Sequence, residues 1–162
     1  FYWEGTGKSS LEARLGYTDV SYDELDERDF QGSTGRLTHQ WHITGKTRLD
    51  TSIWRETDSR FDEITTYVLS RGISIRPVWS ATRKIRVSGE ISYINDDFKG
   101  EDVVLVGERR DDDTWLYALG ITYNPTRNVS LSLRYRNADR DSNEDFADYD
   151  AEMVNAQARL LF

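Results

Sequence analysis

The chain has 162 residues, enough for one domain, with a formal net charge of −8 and 31% charged residues. That balance argues against nucleic acid as a partner, and the lack of cysteine excludes disulfides and thiolate metal sites. No 18-residue apolar run exists to form a transmembrane helix, but a mean hydropathy of −0.71 leaves room for a membrane β-barrel, whose strands are only half apolar.

The first element is a turn, and it recurs. Trp3, Thr6, Lys8 and Leu11 have the same spacing as Trp41, Thr44, Lys46 and Leu49, and as Trp79, Thr82, Lys84 and Val87. Tyr123, Thr126, Arg127 and Leu131 form a looser fourth copy. The intervals are 38, 38 and 44 residues, so the repeat unit is two strands, the loop between them and one short turn.

Between the turns the chain alternates with the period of an extended strand. Leu11, Ala13, Leu15 and Tyr17 share one face. The same face continues through Leu37, Trp41 and Ile43, then Leu49 and Ile53, then Leu69, Ile73 and Ile75. It resumes with Ile85, Val87, Ile91 and Tyr93, with Trp115, Leu119, Ile121 and Tyr123, and with Val129, Leu131, Leu133 and Tyr135. In the last strand Val154, Ala156, Ala158, Leu160 and Phe162 are on the apolar side. Outer-membrane barrels commonly end on such an aromatic residue, so Phe162 is the candidate signal for the barrel-assembly machinery. His39 and Arg71 break the pattern. An Arg in mid-membrane costs roughly 2–4 kcal/mol, so a bulge or a position near the interface is expected there.

The remaining connections are long and polar: Asp23 to Gly32, Glu56 to Thr66, Asp96 to Asp113, and Asn137 to Asp150. Short turns at one end and long loops at the other predict an all-β fold, an antiparallel transmembrane β-barrel of about eight strands. It would form one domain over residues 1–162 in the bacterial outer membrane, with lipid and lipopolysaccharide around it. Trp3 to Lys8 is a turn copy with only two residues before it. The simplest expectation is the C-terminal part of a larger barrel, and the alternative is a complete eight-stranded barrel with an N-terminal arm.

The wetter strand faces carry Glu12, Arg14, Arg36, Asp50, Trp54, Arg76, Arg86, Glu90, Arg134, Arg136 and Arg159. In a wide barrel these residues line a water-filled path. Arg and Glu there could hydrogen-bond sugar hydroxyls, and Trp54 could offer a stacking surface. In a narrow barrel the same residues plug the interior as ion pairs. Among the loops, Asp139, Asp141 and Asn143 begin like a calcium loop, but Glu144 stands where that motif needs Gly. Asp111, Asp112 and Asp113, and the cluster Asp23, Glu24, Asp26 and Glu27, read first as solvated loops and second as recruiters of divalent cations. His39 and His42 are the only histidines, and no nucleophile can be assigned beside either. No catalytic residue, metal site or cofactor is expected, and the chain does not read as an enzyme.

Five segments carry a family resemblance: Ser10 to Tyr17, Arg28 to Gly32, Thr44 to Leu49, Arg55 to Thr57, and Asn124 to Leu131. With the alternating strands and Phe162 they resemble the EpsL-type outer-membrane β-barrel proteins of exopolysaccharide operons, porin-like proteins longer than this chain. The resemblance implies a role in passing polysaccharide across the outer membrane. The alternative is a small closed barrel serving as anchor or adhesin through its acidic loops. A second alternative is a soluble carbohydrate-binding β-sandwich.

Overall fold

The computed structural model describes residues 1–20, 30–58, 65–100 and 110–161. These residues form nine strands and no helix: β1 (Tyr2–Thr6), β2 (Ser9–Val20), β3 (Phe30–His42), β4 (Thr47–Asp58), β5 (Thr65–Trp79), β6 (Ile85–Gly100), β7 (Asp111–Tyr123), β8 (Val129–Ser142) and β9 (Tyr149–Leu160). They pair in sequence order as one antiparallel meander. Each antiparallel neighbour needs only a short connection, so the repeat of turn and strand leads directly to this order.

The repeated Thr has a physical role. Thr44 Oγ1 accepts hydrogen bonds from the backbone N–H groups of Lys46 and Thr47 at 3.1 and 3.0 Å. Thr82 Oγ1 does the same for Lys84 and Ile85 at 3.1 and 3.0 Å. The hydroxyl replaces a missing backbone partner and closes the turn.

Alternation then sorts the side chains. One row crosses eight strands through Glu12, Thr38, Ser52, Ser74, Ser92, Leu116, Ala138 and Ala151. The adjacent row, on the opposite face, reads Ala13, Leu37, Ile53, Ile73, Tyr93, Trp115, Asp139 and Asp150. Along that row the residues change from apolar to acidic, so the apolar belt runs oblique to the hydrogen-bond direction. Tilted strands in a barrel wall produce this obliqueness.

Burial is inverted relative to a protein in water. Ser52, Ser74, Ser92 and Thr114 are 7% exposed or less, whereas Ile53, Ile91, Leu119 and Leu133 are 50% exposed or more. Small polar residues bury one another on one face of the sheet, and the isoleucines and leucines stand on the other. In water that arrangement would leave a large apolar surface uncovered, while against lipid it is favourable. Leu131, Ile121 and Leu160 are likewise exposed, with no second sheet or helix against them among the described residues.

Aromatic residues bound the belt. Trp41, Trp79 and Tyr123 lie beside the turns, and Tyr93, Trp115, Tyr117 and Tyr135 lie toward the loops. Trp115 and Tyr123 are eight residues apart on β7, about 27 Å along an antiparallel strand. The loop-side tyrosines reach upward into a carboxylate band: Tyr93 Oη donates to Asp113 at 2.6 Å and Tyr135 Oη to Glu152 at 2.9 Å. An apolar ring with a polar tip suits a membrane interface.

Several expectations are changed or narrowed. The described residues form nine strands where about eight were expected, because Tyr2–Thr6 pairs with β2 as a short strand. All four long connections are shorter than the polar composition implied. Asp96 to Gly100, Asp111 to Asp113, and Asn137 to Ser142 continue the ladder, held by polar pairs such as Asn95 Nδ2 to Asp111 at 2.6 Å and Asn137 Nδ2 to Asp150 at 2.7 Å. Arg71 lies in unbroken register between Arg55 and Asn95, not in a bulge, and its guanidinium is 3.7 Å from Asp97 in the polar band above the belt. His39 is also in register, opposite Leu11 and Thr51. The cluster Asp23, Glu24, Asp26 and Glu27, the segment from Arg28 to Asp29, and Phe162 lie outside the described residues.

Candidate functional site: the polar face

The register places Glu12, Arg14, Arg36, Asp50, Trp54, Arg76, Arg86, Glu90, Arg134, Arg136 and Arg159 together on the polar face. It does not make them equivalent.

Toward the loop end, Arg36 forms a two-pronged pair with Glu56, Nε to Oε1 at 2.8 Å and Nη2 to Oε2 at 2.7 Å. The fork geometry of the guanidinium matches a carboxylate in this way. Its Cζ also sits 5.1 Å from the centre of the Trp54 ring, a cation–π contact. Trp54 can lie flat because it faces Gly72. A Cβ at Gly72 would run into the Trp54 ring and come within 2.7 Å of the Tyr93 carbonyl oxygen. The proposed stacking ring therefore already carries a cation. Nearer the N-terminus, Arg14 donates to Glu12 at 2.8 Å.

In the middle, Asp50 accepts from Gln40 at 3.2 Å and pairs with Arg48 at 3.0 Å. Glu90 is shared by Arg76 at 3.1 Å and Arg134 at 2.8 Å. Arg134 is on β8 and Glu90 on β6, so the bond spans β7, where the opposing residues Gly120 and Ala118 are small.

Toward the turn end the carboxylates run out. Arg86 and Arg159 there, and Arg136 at mid-strand in the row of Ala118 and Glu90, are exposed and, among the described residues, have no hydrogen bond or ion pair. Beyond them a cleft between the β5–β6 and β7–β8 turns is lined by Arg83, Lys84, Arg127 and Arg159 with Asn124 and Asn128.

Sequence reasoning missed the most enclosed group on this face. Asp112 is fully buried and accepts from Arg110 at 2.9 and 2.8 Å and from Ser142 Oγ at 2.6 Å, with Arg140 3.5 Å away. Arg110 stacks on Phe98 and Arg140 on Tyr149, at 4.4 and 4.8 Å. The hydrogen bonds that Arg110 donates to Asp112 raise the pKa of its guanidinium above the ordinary value. Three consecutive aspartates read as a hydrated loop. Extending the parity of Thr114 and Leu116 back two residues would have turned Asp112, but not Asp111 or Asp113, onto this face. The same parity disperses the apparent calcium loop: Arg140 and Ser142 point to the polar face, whereas Asp139 and Asp141 point away.

The histidines differ from expectation in one respect. Ser9 Oγ lies 2.8 Å from His39 Nε2. Ser9 opposes Trp41 and Leu11 opposes His39, so the two side chains are diagonal neighbours on the apolar face. The contact satisfies two polar groups inside the belt.

The family model described as "Putative beta-barrel porin 2" matches residues 4–162. No curated protein matches the sequence. Among solved structures, the outer membrane channel DcaP of Acinetobacter baumannii superposes with a TM-score of 0.69 at 14% identity, covering 98% of this chain and 49% of that one. A loop-deleted form of OmpT, an outer membrane protein of Vibrio cholerae, gives 0.64 at 14% identity, covering 96% and 50%. The chain thus spans about half the length of these two solved structures.

Proposed function

This chain belongs to the porin family whose model matches residues 4–162, a family of the bacterial outer membrane, and from that premise we propose that its sheet is a section of a closed barrel with a water-filled interior through which polysaccharide passes. The observation that carries this reading is the inverted burial. Hydroxyls and ion pairs fill the polar face while isoleucines and leucines stand outward, and a wall between lipid and water needs that division. The exposed arginines at the turn end support an open path over a plugged one, since a plugged interior would use its cations in ion pairs. Polysaccharide as the cargo rests on the resemblance to EpsL-type proteins. Arg and Glu side chains are suited to sugar hydroxyls. The reading is of a channel rather than an enzyme: the Ser9–His39 contact lies on the outward, apolar face, away from the polar interior.

The test is planar-bilayer recording of the full-length protein. Stepwise conductance that falls when exported polysaccharide is added supports the reading. A folded protein that gives no steps supports the anchor or adhesin instead.

A further inference from the structure

We infer that the turn-end half of the polar face is a binding track for anionic saccharides, with carboxylate-bearing sugars as its ligands; this rests on the channel reading above.

The overall charge of −8 suggests a cation-preferring protein, but few carboxylates face a solute toward the turns; Asp96, on the polar face opposite Asp112, is at the loop end. Asp111, Asp113, Asp139, Asp150 and Glu152 are on the outward face, in the band above the apolar belt. Asp112, Glu56 and Asp50 are occupied by arginines. What remains toward the turns is basic. Arg159 opposes Ser130, Arg86 and Ser132 both oppose Thr122, and Arg134 and Arg136 follow on β8. Arg134 shares its one carboxylate, Glu90, with Arg76, and Arg86, Arg136 and Arg159 have none among the described residues. Arg83, Lys84 and Arg127 extend the positive region to the turn-side mouth.

From the level of Ser130 to Arg136 is six residues on β8, about 20 Å of extended strand. That exceeds two Debye lengths of about 8 Å at physiological salt, so the arginines act as a succession of sites and not as one point charge. A small anion needs one such site, whereas a chain with repeated carboxylates can occupy several. Exposed guanidinium groups with no internal partner are free to offer their paired donors to a carboxylate. A low-dielectric wall focuses the field of one sign along the path.

The experiment uses the full-length protein in planar bilayers, under a potassium chloride gradient and then with oligogalacturonate or a maltooligosaccharide of equal length. The expected result is anion preference, and block by oligogalacturonate at a concentration roughly tenfold below that of the neutral sugar. The triple variant R86Q/R136Q/R159Q should lose both differences. R86K/R136K/R159K should keep the anion preference, which separates charge from structural damage. Cation preference, or equal block by the two sugars, overturns the track and leaves the channel standing. Absence of any conductance overturns the channel and the track together.

Discussion

The two ends of the polar face use the same residue, arginine, in opposite ways. At the loop end Arg110 and Arg140 converge on the fully buried Asp112, and Arg36 is locked to Glu56 over Trp54. From mid-strand to the turn end Arg136, Arg86 and Arg159 are exposed and unpaired among the described residues. A paired, enclosed arginine ties strands together and is neutralised. An exposed one contributes little to stability but retains its field. Residue type alone therefore does not tell a structural arginine from one available to a solute; its partners do.

The largest effect should come from breaking what both ends depend on, the apolar belt. Leu119 is midway between Trp115 and Tyr123 and faces outward. Leu119→Arg should cost about 2–4 kcal/mol, read as a lower urea midpoint for the protein folded into lipid vesicles. Gly72→Ala comes next, because the methyl group meets both the Trp54 ring and backbone. A loss of about 1–3 kcal/mol is expected from such overpacking, with a change in tryptophan emission as Trp54 is displaced. Asp112→Ala leaves Arg110, Arg140 and Ser142 without their shared acceptor, with an expected loss of about 1–3 kcal/mol measured by the same unfolding. Glu56→Gln removes a half-exposed partner of Arg36 and should cost below about 1 kcal/mol. Arg136→Gln should change stability by no more than about 0.5 kcal/mol. A loss for Arg136→Gln as large as that for Asp112→Ala would erase the distinction between the two ends.

Much of the wall was legible in the order of residues. The repeat of Trp, Thr and Lys marked three turns, because a Thr hydroxyl closing the chain needs its partners at fixed spacing. Alternation assigned the faces of β2 through β9, because successive side chains in a strand point to opposite sides. The ends of the strands were not legible. Asp111 to Asp113 and Asn137 to Ser142 look like loop by composition, yet their polar side chains pair across strands and prolong the ladder. β1 was hidden for another reason: five residues are too few to display a period.

What the sequence determined by itself was local and periodic: antiparallel strands, one apolar face, turns at one end, and the eleven polar-face residues. Which of those residues hold the wall together and which are free was decided only by the tertiary structure. Partnership depends on register between strands far apart in the chain, as when Arg134 reaches Glu90 across β7. A period of two assigns a side chain to a face, but only the staggered pairing of tilted strands determines which charges meet there.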